Sequence, residues 1–154
     1  MPTTARPTRA GAPPPTLLYV IKQVELAVRA RLDEILRPVG LTVLQYTALT
    51  VLERHPDLSS AQLARNSFVT AQTMADMVVI LRERKLIDRH RDPTDGRRLV
   101  LALTAQGRKL LKAYRGKVAE LETVMVAPLT THQAAQLQAS LSACREALAD
   151  HPPH

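Results

Sequence analysis

The sequence predicts a mainly α-helical chain with one small β-hairpin near its middle. Three observations predict it. Apolar residues recur at helical spacing over most of the chain. The same helix-start chemistry recurs at Thr42, Ser59, Thr70 and Thr130. The stretch RDPTDGRRLVLALTAQG (residues 91–107) replaces helical periodicity with turn residues and then strict apolar alternation.

The elements follow in order. Residues 1–16 are rich in Pro, Ala, Thr and Arg, lack the apolar core and cleavage pattern of a secretory signal, and are expected to form a disordered arm. Leu17, Ile21, Val24, Val28, Leu32 and Ile35 then make a helical stripe, ended by Pro38 and Gly40. Thr42 with Gln45, and Ser59 with Gln62, have the spacing of capping boxes. Thr70 is a cap with Thr73 at the third helical position, and Thr130 pairs with Gln133. These signals place short helices near 42–54, 59–66 and 70–84. In the third, Met74, Met77, Val78 and Leu81 form the buried stripe, with Thr70, Gln72, Thr73 and Asp76 lying off it.

Leu86 to Arg91 is expected as a first strand. Pro93 and Asp95-Gly96 supply the turn. In the second strand Leu99, Leu101 and Leu103 should face one way and Val100 and Ala102 the other. Thr104 caps a long helix carrying Leu111, Val118 and Met125. The last helix carries Leu137, Leu141, Cys144 and Leu148, and residues 151–154 are expected to fray. The first and the two last helices hold more apolar face than a small helix-turn-helix unit can cover, so a homodimer built from both chain ends is expected.

Composition narrows the function. The 154 residues suit one domain, and with 45% apolar but only 3% aromatic content its core must be aliphatic. The net charge of +7 favours an anionic partner, nucleic acid or a membrane surface. From Arg82 to Lys117 twelve Lys or Arg stand against four Asp or Glu, so the whole excess lies around the hairpin. No apolar run approaches the ~18 residues that span a bilayer. A single cysteine excludes an internal disulfide, consistent with a cytoplasmic protein.

Helix, turn, helix and a basic-tipped hairpin together are a winged helix-turn-helix. A helix about 10–12 Å wide fits the ~12 Å major groove of DNA, where short polar side chains reach base edges. A thin hairpin bearing arginine suits the narrow, strongly negative minor groove.

Asp92-Pro93-Thr94-Asp95-Gly96-Arg97-Arg98, the strand Leu99 to Ala102, and Leu103-Thr104-Ala105-Gln106-Gly107 resemble the wing of the MarR family of bacterial transcription regulators, and LARNSFVTAQTMADMVVILRERKLIDR (residues 63–89) resembles its helix-turn-helix. The resemblance covers residues 17 to 150 in layout. It implies a helical dimerisation region at 17–40 and 105–150, a DNA-binding winged helix at 41–104, and a pseudo-palindromic double-stranded DNA target. It also implies a repressor released by a small effector, often aromatic or phenolic, whose binding residues the sequence leaves unknown. Thr70, Gln72 and Thr73 become groove readers and phosphate contacts. Arg97 is the expected minor-groove finger, with Arg98 its rival, and Asp95 orients the wing arginines.

The chain departs from the family pattern at three places. Lys85 stands where glycine is usual, so either it takes a strained left-handed backbone or the connection differs from the family's. Asp76 stands where a base is usual; it either accepts from a cytosine amino group or, as we favour, pairs with a nearby arginine. Val79 and Ile80 replace charge, as expected for a wider packing face.

Other chemistry finds little footing. Cys144 lies in register on an apolar stripe, so a buried structural thiol is expected ahead of a redox-sensing one. His55, His90, His132, His151 and His154 match no metal-ligand spacing, and no cofactor is expected. Tyr19, Tyr46 and Tyr114 fit an effector pocket or core packing equally well. No G-x-S-x-G, P-loop or G-x-G-x-x-G motif marks an enzyme. The alternative to a regulator is a helical adaptor or dimerisation protein with a non-specific basic surface.

Overall fold

The computed structural model describes residues 11–149; residues 1–10 of the arm expected at 1–16, and residues 150–154 with the expected tail, lie outside them. Helix α1 (Leu17–Leu36) begins at Thr16, whose hydroxyl accepts the Tyr19 N–H at 3.2 Å. Thr16, expected in the arm, is therefore a cap. Pro38 does not cut the chain abruptly. It opens a 3-10 turn at Arg37–Val39, closed by Gly40 in the left-handed region at φ 65°.

Helices α2 (Val43–Arg54) and α3 (Ser60–Asn66) start at Thr42 and Ser59 with both halves of each capping box formed. Helix α4 (Ala71–Glu83) starts at Thr70, whose hydroxyl accepts the Thr73 N–H at 3.1 Å. Strands β1 (Ile87–Arg91) and β2 (Leu99–Leu103) pair antiparallel, from Ile87 opposite Leu103 to Arg91 opposite Leu99. Helices α5 (Ala105–Val126) and α6 (Thr131–Ala149) complete the chain, and the Thr130–Gln133 bonds form reciprocally at the start of α6.

One aliphatic core joins the end of α1 to α2, α3, α4, the hairpin base and α5. Leu36, Leu49, Leu63, Met74, Val78, Leu81 and Leu101 are all at most 1% exposed within it. The expected stripe of α4 is buried as read. The strand alternation is not: Leu99 is 51% exposed while Val100 and Leu101 are both sealed. Position along the hairpin overrides strand parity here. The Leu101 N–H donates to the Leu58 carbonyl at 2.7 Å, drawing the base of β2 into the fold, whereas Leu99 lies toward the projecting tip.

The junction after α4 explains two residue choices at once. Lys85 does take the left-handed backbone, at φ 59°, a conformation that costs a side-chain-bearing residue roughly 1–2 kcal/mol. The Thr104 hydroxyl donates to its carbonyl at 2.6 Å and accepts the Gly107 N–H at 3.0 Å, so one side chain locks the turn and caps α5. Gly107 packs so closely on this turn that an added Cβ would lie 2.2 Å from the Leu86 carbonyl oxygen. The Thr-x-x-Gly signature is thus a cap plus a close backbone approach.

The outer helices are barely used within the chain. Helix α6 buries none of its residues, and α1 buries only Leu36. Leu17, Leu18, Val24 and Leu26 of α1, and Leu137, Leu141 and Leu148 of α6, stay exposed. Among the described residues no single helix is long and apolar enough to cross a membrane.

Candidate nucleic-acid interface

Helix α4 is held from behind and bare in front. Its buried stripe anchors it on the core, and Thr70, Gln72, Thr73 and Asp76 are all exposed at its N-terminal end. At 100° per residue Gln72, Asp76 and Val79 lie opposite the buried stripe, with Thr73 and Ile80 flanking them. The start of α4 also carries the positive end of the helix dipole, which favours a nearby phosphate.

Asp76 takes a different partner from the expected arginine. Its Oδ1 accepts from Gln72 Nε2 at 3.1 Å, one helical turn away, and no ion pair of Asp76 forms among the described residues. The i, i+4 spacing favours this contact over an arginine on another element. The wider packing face is also absent within the chain. Val79 is 54% and Ile80 43% exposed, because the core stripe is already filled by Met77, Val78 and Leu81.

The wing is built as a small hydrogen-bonded frame. Asp92 accepts from the Thr94 N–H at 2.9 Å and its hydroxyl at 2.8 Å; these bonds hold the Asp92 carboxyl below the usual aspartate range. Asp95 accepts the Arg97 N–H at 3.1 Å through its carboxylate and the Arg98 N–H at 3.0 Å through its carbonyl. It thus holds the backbone beneath both arginines. Arg91 donates to the Gly96 carbonyl at 2.8 Å.

The two arginines diverge above this frame. Arg98 turns back and donates to Gln62 Oε1, the oxygen that completes the capping box of α3, and so ties the wing to the helix-turn-helix. Arg97 is exposed, and its guanidinium has no partner among the described residues.

Three further links set the geometry around this surface, and their long sequence separations left no local signal. Arg84, capping α4, donates to the carbonyls of Val39 at 2.6 Å and Gly40 at 3.1 Å, joining that helix to the 3-10 turn after α1. His90 Nε2 meets Asp57 Oδ1 at 2.8 Å, joining β1 to the loop after α2. Arg115 grips both carboxylate oxygens of Glu53 at 2.8 Å each, joining α5 to α2.

Beside that last pair lies a cavity of about 390 Å³ between α1, α2 and α5. Val28, Leu32, Val118 and Met125 give it apolar walls; Tyr46, Arg115 and Glu122 give it polar edges. Tyr46 is 9% exposed, and burial pushes its hydroxyl pKa up. Of the three tyrosines considered from sequence, only Tyr46 lines this cavity.

Cys144 is exposed on α6, contrary to the expected burial, and so are Leu137, Leu141 and Leu148 of its stripe, which no described element buries. Among the described residues no group of three or more His, Cys, Asp or Glu is placed to hold a metal ion.

Comparison with known proteins gives this geometry a context. Residues 39–98 match the model of the MarR family. The HTH-type transcriptional repressor Rv2887 of Mycobacterium tuberculosis is 34% identical over 115 residues, which cover 75% of this chain and 83% of that protein. The MepR–DNA complex of S. aureus superimposes with a TM-score of 0.75 at 27% identity, covering 86% of this chain and 98% of MepR. PcaV of Streptomyces coelicolor, crystallised with its natural ligand, gives a TM-score of 0.69 at 25% identity, covering 85% and 92% of the two chains.

Proposed function

The chain belongs to the MarR family of winged-helix, DNA-binding transcription regulators, and on that premise we propose that it is a cytoplasmic, homodimeric repressor of a pseudo-palindromic operator. The observation that carries this reading is the division of labour around α4. The helix is fixed by Met74, Met77, Val78 and Leu81 while Thr70, Gln72, Thr73 and Asp76 face outward. Gln72 and the two threonines read base edges or hold phosphate in the major groove, and Asp76 restrains Gln72 and disfavours phosphate on its side.

Arg97 is the minor-groove finger in this reading, and Arg98 is a positioning residue that docks the wing on Gln62. Residues 41–104 form the reading unit; 17–40 and 105–150 join two copies. The exposed apolar positions of α1 and α6 support that joining, since a helix with no buried residue gains no packing stability alone.

The cavity beside Tyr46 and Arg115 is the effector site. Its apolar walls suit an aromatic ring, and its phenol and guanidinium suit a phenolic or carboxylate group. An anionic ligand competes with Glu53 for Arg115 and so loosens α2 from α5, which changes how the reading unit sits on the dimer.

Arg97→Ala tests the wing assignment. Operator affinity should fall roughly tenfold or more, since hydrogen bonds to charged groups contribute ~1.5–3 kcal/mol. The salt slope of binding should drop by about 1 while thermal stability stays unchanged. Unchanged affinity and slope, measured by fluorescence anisotropy across a salt series, would remove Arg97 from the interface.

A further inference from the structure

We propose that Phe68 is a base-contacting residue of the DNA interface, its ring packing on a thymine C5-methyl at the edge of the major groove. The inference rests on the reading of α4 as the DNA-reading helix.

Phe68 is the only phenylalanine in the chain and is 81% exposed. It lies in the turn between α3 and α4, two residues before the Thr70 cap. Its backbone is left-handed at φ 58°, held by the Phe68 N–H on the Arg65 carbonyl at 3.3 Å and the Val69 N–H on the Ala64 carbonyl at 3.1 Å. This is the 6→1, 5→2 pattern of a Schellman helix end, whose left-handed position is ordinarily glycine or asparagine. An aromatic ring there carries backbone strain and presents an apolar surface to water, and a glycine would avoid both.

Position indicates what covers the ring. Val69, its neighbour, is packed against the core, so the turn is anchored and Phe68 is held at the lip of the α4 N-terminus. That lip is where the helix dipole draws phosphate and where Thr70, Gln72 and Thr73 are exposed. The apolar group that DNA offers in the major groove is the thymine methyl, which small and aromatic apolar side chains recognise. The exposed stripes of Leu17, Ile21 and Val24 on α1, and of Leu137, Leu141 and Leu148 on α6, belong to the face proposed to join two copies.

Phe68→Gly separates function from folding, because removing the strain should leave the melting temperature unchanged or higher. With an operator selected from random DNA, the variant should bind about tenfold more weakly, as expected for one ring losing its apolar cover. Replacing thymines one at a time by deoxyuridine should cost the wild type about fourfold at one position in each half-site, the worth of one buried methyl. Phe68→Gly should lose nothing further at that position.

Wild-type affinity in Phe68→Gly would overturn the proposal, as would weakened binding with the uracil response intact, which places the ring on sugar or phosphate. A change in oligomeric state on gel filtration would also overturn it, assigning the ring to contacts between copies. Gln72→Ala is run alongside. If it weakens binding and Phe68→Gly does not, only the Phe68 contact fails; if neither has an effect, the reading of α4 fails with it.

Discussion

Truncation after Pro128 is expected to give a chain that remains folded, no longer dimerises, and binds its operator on the order of 10²–10⁴-fold more weakly, the usual gain from linking two binding modules. The physical ground is the inventory of buried residues. None belongs to α6, so deleting it removes nothing from the core around Leu49, Leu63, Met74 and Leu81. What it removes is the exposed stripe of Leu137, Leu141 and Leu148, which together with Leu17, Ile21 and Val24 of α1 forms the face proposed to join two copies. Thermal unfolding should still be cooperative, while light scattering should report the mass of a single chain. A truncated protein that remains a dimer would show that the joining surface lies elsewhere.

Gly107→Ala should destabilise the fold by roughly 3 kcal/mol, the upper end of overpacking costs. For a chain of this size that lowers the melting temperature by roughly 6–12 °C. The sign makes the test sharp. In an ordinary helix interior, glycine to alanine stabilises by about 0.5–1 kcal/mol. Here the new methyl would meet the Leu86 carbonyl oxygen at 2.2 Å, and that oxygen already accepts the Thr104 N–H at 3.1 Å. Backbone atoms held on both sides cannot rotate away as a side chain can, so either α5 or the Lys85–Leu86 turn must move. A melting temperature equal to or above wild type would show that the close approach is not a constraint on the folded state.

Local chemistry made the helix starts legible from sequence. Thr42, Ser59, Thr70, Thr104 and Thr130 each bond a backbone N–H three residues ahead, a relation that needs no tertiary information. The left-handed backbone at Lys85, φ 59°, was one of two outcomes open from the family resemblance, which has glycine at that position. Burial was harder to read where another element decided it. The single bridge from Leu58 to Leu101 drew the base of β2 inward against the expected alternation, and faces that no described element covers left Cys144, Val79 and Ile80 exposed.

For the candidate site, motif and spacing marked its residues but not their partners. The sequence points Asp76 toward arginine, whereas in the fold its partner is Gln72, one helical turn away. Separating Arg97 from Arg98 required knowing that the wing folds back on Gln62, 36 residues earlier in the chain. The Arg115–Glu53 pair and the exposed Phe68 ring were likewise beyond the reach of periodicity, since one is a contact across 62 residues and the other breaks the apolar-inside expectation.

Sequence-specific recognition is tested by comparing binding of the intact 154-residue chain to its selected palindrome with binding to bulk duplex DNA at physiological salt. The palindrome should bind at least about 10³-fold tighter, within the usual range for specific protein–DNA recognition, with two copies of the chain bound per site. Equal affinity for the palindrome and bulk DNA, falling together as salt rises, would reduce the basic surface to non-specific attraction and rule out a sequence-specific regulator.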